Sequence, residues 1–264
     1  MVTSSVKPNV LCFSGMDSTG GAGIQADIES LFSIGCHCLP VITAITVQDT
    51  RNVSRIVPTE PLLLVEQARA VLEDMSVQAF KIGLIGSIEN IEVIHTLLTD
   101  YPNIPVVLDP ILQAGGGFDF STQNLINAMK NLLLPITTVL TPNTDELQRL
   151  ATEADSPEAC AAALLDSGCG AVLLTGTHAA SKNVINQLFT QHQAIMHWEW
   201  PRLPEQYHGS GCTLAASLAA YLAHGAALKD AVRQAQQFTW NALAQGQRPG
   251  CGQYLPDRSF WQRS

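Results

Sequence analysis

The chain has 264 residues, of which 46 % are hydrophobic and 14 % charged, with 19 glycines and 14 prolines. That apolar share excludes a disordered or collagen-like polymer, and the length suits one α/β domain spanning 1–264. Lys and Arg number 14 against 23 Asp and Glu, a net charge of −9, so neither nucleic acid nor an anionic membrane is expected as partner. Phosphate stays accessible to such a chain where backbone N–H groups receive it.

The first ten residues are polar with one lysine, so no signal peptide is expected. The apolar runs break well short of the roughly 20 residues a membrane helix needs. None of the seven cysteines forms a C-x-x-C pair, and Cys36-His37-Cys38 is tighter than the usual zinc spacings. They are expected to be small, mostly buried thiols in a reducing cytoplasm.

Val10 to Phe13 reads as a strand. After a glycine loop, Ile24, Ile28, Leu31 and Phe32 share one helical face, and Gly35 is a natural terminator. Cys38 to Val47 is strand, Leu62 to Leu72 helix, Ala79 to Ile82 strand, Ile91 to Leu98 helix and Pro105 to Asp109 strand. A helix over Leu125 to Leu133 follows, then a strand over Thr137 to Leu140 and a helix over Asp145 to Ala151. An Ala-rich helix over 156–167 leads into a strand over 171–174 and an antiparallel pair, Val184 to Phe189 with Ala194 to Trp200. Helices over Cys212 to His224 and Lys229 to Ala244 close the pattern. Trp198, Trp200 and Trp240 read as packing or interface residues. Repeated β-then-α units imply a mostly parallel sheet covered on both faces.

In such sheets ligands bind beyond the carboxyl ends of the strands. That rule selects loops 14–23, 47–50, 83–87, 109–117, 141–146 and 175–178, with the helix start at 209. The first runs Ser14-Gly-Met-Asp-Ser-Thr-Gly-Gly-Ala-Gly23; it is neither a dinucleotide fingerprint nor a P-loop. His208-Gly-Ser-Gly-Cys-Thr213 precedes a helix of small residues, where exposed N–H groups and the helix dipole suit an anion; Ser210 as a simple cap is the alternative. Asn143 and Glu146 have the spacing of a capping box.

Ser14-Gly-Met-Asp-Ser-Thr-Gly-Gly-Ala-Gly-Ile-Gln-Ala-Asp27 and Val41-Ile-Thr-Ala-Ile-Thr-Val-Gln-Asp-Thr50 resemble the hydroxymethylpyrimidine/phosphomethylpyrimidine kinases of thiamin biosynthesis, in the ribokinase-like superfamily. Lys81 to Ser87, Val107-Leu-Asp109-Pro110, Leu140 to Glu146 and His208 to Thr213 continue the likeness in order over about the first 245 residues. The resemblance implies a three-layer α/β/α kinase of one domain, cytoplasmic and dimeric, that uses ATP and Mg²⁺ on an aminopyrimidine. It implies that Gly15, Asp27 and Gln48 hold the ring and that Gly209, Ser210 and Gly211 cradle the phosphoryl group. Cys212 takes the base position, where a helix N-terminus would favour the thiolate. Asn143, Thr175 and Gly176 fall on the nucleotide side, and Asp109 and Glu146 are candidates for the metal.

The likeness departs at Leu174-Thr175-Gly176-Thr177-His178, where the family reads Val-Lys-Gly-Gly-His, and at Asn186, where it has aspartate. Thr175 thus replaces a lysine expected to meet nucleotide phosphates, and Lys182 is one candidate substitute. A pyridoxal kinase-like vitamin kinase and a catalytically weak pyrimidine-binding protein of the same fold remain as alternatives.

Overall fold

The computed structural model describes residues 6–176 and 182–263. In chain order the elements are β1 (Asn9–Met16), α1 (Gly23–Ile34), β2 (His37–Gln48), β3 (Val53–Pro58), α2 (Pro61–Leu72), β4 (Ala79–Ile82), α3 (Ile88–Thr99) and β5 (Val106–Leu108). Next come α4 (Gln123–Ala128), β6 (Val139–Leu140), α5 (Thr144–Leu150), α6 (Pro157–Asp166), β7 (Ala171–Leu174), β8 (Asn183–Thr190), β9 (Gln193–Pro201), α7 (Ser210–Ala223) and α8 (Leu228–Ala244). All nine strands form one sheet in the order β3-β2-β1-β4-β5-β6-β7-β8-β9. The strands from β2 to β7 pair in parallel, while β3, β8 and β9 join antiparallel at the two edges.

Strand alternation makes this a three-layer α/β/α fold, as expected. In β1, Leu11 and Phe13 face the core shared with α2 to α6. Val10 and Cys12 face the opposite core, built with α1, α7 and α8. Each fully buried side chain of this size stabilises the fold by roughly 1.5–3 kcal/mol. Gly35 ends α1 in the left-handed conformation at φ 87°, its N–H returned to Leu31 and Phe32.

Two elements differ from the sequence expectation. The α-helix expected to reach Leu133 ends at Ala128 and continues as a π turn over Met129–Leu133, then as a 3-10 turn before Thr137. Pro135 lies in that last turn and cannot donate to a continuing α-helix. β3 has no counterpart in the expectation, because an edge strand exposed at Ser54, Arg55 and Val57 carries little apolar periodicity. All seven cysteines are unpaired thiols. Among the described residues no helix is long and apolar enough to cross a membrane.

Candidate active site

The strand-end loops and the start of α7 enclose a cavity of about 700 Å³. Gly15, Gln48, Asp109, Asn143, Glu146, Thr175 and the Gly209–Cys212 turn all line it. Asp27 and Gly176 do not.

Gly209 sets the floor of the site. It is the N-cap of α7 with φ 84°, and a Cβ there would stand 1.9 Å from the Gly21 carbonyl oxygen. Only glycine takes this backbone so close to the first loop. No side chain caps α7, and Ser210 is its first helical residue rather than a cap. The first N–H groups of a helix have no intrahelical acceptor, so this uncapped turn, open to the cavity, suits an anion.

Asp109 follows β5, with its N–H donated to Ile82 at 2.8 Å. Its carboxylate approaches the α7 turn: a Cβ on Gly211 would lie 3.7 Å from Oδ1. Burial pushes Asp109 up to about 6, although the Lys81 cation and the Cys212 thiol pull it down. Burial also pushes the Cys212 thiol up to about 12, with Asp109 and Asp27 reinforcing it against Lys81 and the Gly23 N–H. The thiolate expected from the helix terminus is thus opposed by desolvation and two carboxylates, which keep the Cys212 thiol neutral beside Asp109. Cys212→Ala is accordingly expected to lower kcat about ten-fold, the worth of one polar group at the reacting centre, with KM within two-fold. Steady-state kinetics check this; a parallel rise in KM would mark a packing role.

Glu146 and Asn143 form the full capping box of α5: Asn143 N–H donates to Glu146 Oε2 at 2.9 Å, and Glu146 N–H to Asn143 Oδ1 at 2.9 Å. Both residues line the cavity as well, so local capping and a ligand-facing position coincide. Burial and the neighbouring Asp109 raise Glu146 to about 8.

Gln48 is anchored through Thr46: its Nε2 donates to Thr46 Oγ1 at 2.7 Å, and that hydroxyl donates to the Met16 carbonyl. Asp27 is fully buried behind the loop and pairs with the equally buried Lys81, Nζ standing 3.0 Å from each carboxylate oxygen. Lys81 also donates to Ser14 Oγ at 2.9 Å, and that hydroxyl donates to Asp27. Asp27 therefore holds the loop from beneath and does not line the cavity. Thr175 N–H donates to the Pro142 carbonyl at 2.9 Å, and Gly176 N–H to Asn186 Oδ1 at 3.0 Å. Thr177 and His178 lie outside the described residues.

Several lining residues escaped the sequence reading. Trp200 and Trp240 belong to the cavity wall, a correction to their expected packing role; Trp200 Nε1 donates to Gln236 Oε1 at 2.9 Å. Asp17 accepts from Thr19 N–H, Thr19 Oγ1 and Ala22 N–H, and meets His208 Nε2 at 2.8 Å. It ties the first loop to the residue before Gly209. Burial alone would raise Asp17, but the hydrogen bonds from His208 and Thr19 hold it below the usual carboxylate range. Its contribution to stability is therefore complete above pH about 4 and lost as the pH falls toward the depressed value. Asp17→Ala should cost about 2–3 kcal/mol at neutral pH and flatten the acid limb of the stability profile, read by urea unfolding between pH 3 and 7. An unchanged acid limb would contradict this role.

The phosphomethylpyrimidine kinase family model matches residues 17–257. The chain belongs to this family. A hydroxymethylpyrimidine/phosphomethylpyrimidine kinase from Streptomyces coelicolor is 37 % identical over 248 residues, 90 % of each chain. Its Escherichia coli counterpart is 33 % identical over 246 residues, 90 % of this chain and 91 % of that one. The chain spans about half, 51 %, of a bifunctional thiamine biosynthesis protein of Geobacter sulfurreducens that is 35 % identical over 92 % of this chain. Among solved structures, phosphomethylpyrimidine kinase from Clostridium difficile superposes with TM-score 0.78 at 28 % identity, over 90 % of this chain and all of that one. A Staphylococcus aureus pyridoxal kinase, in complex with pyridoxal, superposes with TM-score 0.89 at 26 % identity, over 98 % and 96 %. The phosphomethylpyrimidine kinase match ends one residue before Arg258. That buried guanidinium donates to Thr213 Oγ1 at 2.9 Å and to the Gly21 carbonyl, and so braces the α7 turn from the C-terminal segment.

Proposed function

We propose that the chain is an ATP- and Mg²⁺-dependent kinase that phosphorylates 4-amino-5-hydroxymethyl-2-methylpyrimidine and then its monophosphate. The carrying observation is the uncapped α7 turn at Gly209, open to a cavity that also holds Gln48, Asp109 and Glu146. The Gln48 amide offers a donor and an acceptor side by side, which complements an aminopyrimidine edge. Backbone N–H groups of Ser210, Gly211 and Cys212 receive the transferring phosphoryl group. The proton leaving the hydroxymethyl oxygen passes to the Cys212–Asp109 pair acting as one unit. Phosphoryl transfer depends chiefly on position and charge stabilisation, so a weakly basic acceptor suffices.

The residues present fit a divalent cation. Asp109 Oδ2 is buried without a hydrogen-bond partner, and Glu146 is a second buried carboxylate on the same wall. Asp109 and Glu146 would hold Mg²⁺, directly or through water, and the ion would neutralise phosphate charge.

Pyridoxal is the second reading, favoured by the close superposition on a pyridoxal kinase. Side-by-side kcat/KM values for hydroxymethylpyrimidine and pyridoxal, each with ATP and Mg²⁺, decide between them. At least a ten-fold preference for the pyrimidine is expected, and a preference for pyridoxal would overturn the first reading.

The unpaired thiols, with Cys251 exposed, support a reducing cytoplasmic setting. A homodimer formed through the β2–β3 face accounts for Ile45 and Val57, directly paired across the strands yet 55 % and 46 % exposed. Ile45→Asp with Val57→Asp is expected to leave a monomer in sedimentation equilibrium, and an unchanged mass would remove this face from the interface.

A further inference from the structure

The cavity wall is acidic. Asp17, Asp109, Glu146 and Glu205 all line it, and among the described lining residues Arg202 is the only lysine or arginine. An acidic protein that takes a polyphosphate into such a space gathers four carboxylates around it and one permanent cation.

Arg202 follows β9 immediately and is half-buried. Its backbone N–H donates to the Lys182 carbonyl at 3.1 Å, which fixes the strand end. Its Nη2 reaches the Gly176 carbonyl at 3.4 Å, so the guanidinium lies against the loop that carries Thr175. Thr175 itself supplies no charge, and Lys182 is exposed and does not line the cavity. Trp200, two residues before Arg202, forms part of the same wall and offers an apolar surface to a flat ring. A guanidinium presents five donors in a planar fork matched to phosphate oxygens, and it keeps its charge at every working pH.

We propose that Arg202 is the phosphate-binding cation of the nucleotide side, contributed by the end of β9 instead of the β7 loop. This rests on the kinase reading for the identity of the nucleotide, but the recognition it describes is of a polyphosphate chain.

The test compares wild type with Arg202→Met, which keeps the aliphatic stem and removes the charge. Titration calorimetry in Mg²⁺ is run with ATP, adenosine and inorganic tripolyphosphate. The Kd for ATP and for tripolyphosphate is expected to rise about ten-fold, while that for adenosine stays within two-fold. Adding Thr175→Lys to Arg202→Met is expected to recover most of the ATP affinity, because a cation returns to the same loop. Equal weakening of ATP and adenosine would show a packing role and overturn the proposal, as would unchanged affinity for both polyphosphates. Failure of the kinase reading is separately visible. A wild-type protein that binds tripolyphosphate through Arg202 yet phosphorylates no pyrimidine refutes the reading and leaves the Arg202 assignment standing. Turnover with an unchanged KM for ATP in Arg202→Met refutes the assignment alone.

Discussion

Lys81→Met is expected to lower folding stability by about 3–5 kcal/mol, because it leaves the Asp27 carboxylate buried without its cation. For a chain of this size that is a fall of roughly 10 °C in Tm. Both side chains have zero exposure, so neither water nor a rotamer change can replace the lost partner. Burial alone would depress the Lys81 amine. The neighbouring negative charges, Asp27 foremost and Asp109 with it, together outweigh burial and raise the amine above its ordinary value. Removing both charges together in Lys81→Met/Asp27→Leu should recover most of the loss, since a buried ion pair is often replaceable by apolar residues of similar volume. Urea unfolding of the two single variants and the double variant measures this. A single variant within 1 kcal/mol of wild type would show that the pair does not hold the loop.

Gly209→Ala is expected to give the largest catalytic loss, about a hundred-fold or more in kcat. The residue has φ 84° and no room for a methyl group against the Gly21 carbonyl. The turn must therefore rotate, and the N–H groups of Ser210 and Gly211 lose their aim into the cavity. The strain itself costs about 1–3 kcal/mol, which leaves most of the molecule folded. Stopped-time kinetics with circular dichroism as a folding control separate the two effects. A folded variant with wild-type kcat would mean that the phosphoryl group is held elsewhere.

The layer arrangement was legible because buried parallel strands are near-continuous apolar runs and their helices carry a 3.6-residue period. The cavity loops were legible for a related reason, since strand ends in open sheets mark the ligand side. β3 was not, because its edge position leaves Arg55 and Val57 exposed and removes the alternation that a buried strand would show. The resemblance assigns Asp27 to the substrate, and the sequence also carries a signal for its pairing with Lys81. Lys81 sits inside Ala79-Phe80-Lys81-Ile82, a four-residue strand buried throughout. A charge in such a run needs an opposite charge, and that signal could have assigned Asp27 to it. Trp200, Arg202 and Arg258 could not be read from spacing. They reach the site through tertiary packing of β9 and of the segment after α8, neither of which follows a parallel strand.

The claim that this cavity transfers phosphoryl groups to an aminopyrimidine is tested most directly by one incubation. Wild-type protein, ATP, Mg²⁺ and hydroxymethylpyrimidine are combined, ADP release is followed, and the pyrimidine is weighed by mass spectrometry. ADP release that depends on the pyrimidine is expected, with a product heavier by one phosphoryl group and later by two. ADP release at the same rate without pyrimidine, or none with it while the pyrimidine still raises the Tm, would contradict the assignment and leave a binding protein in its place.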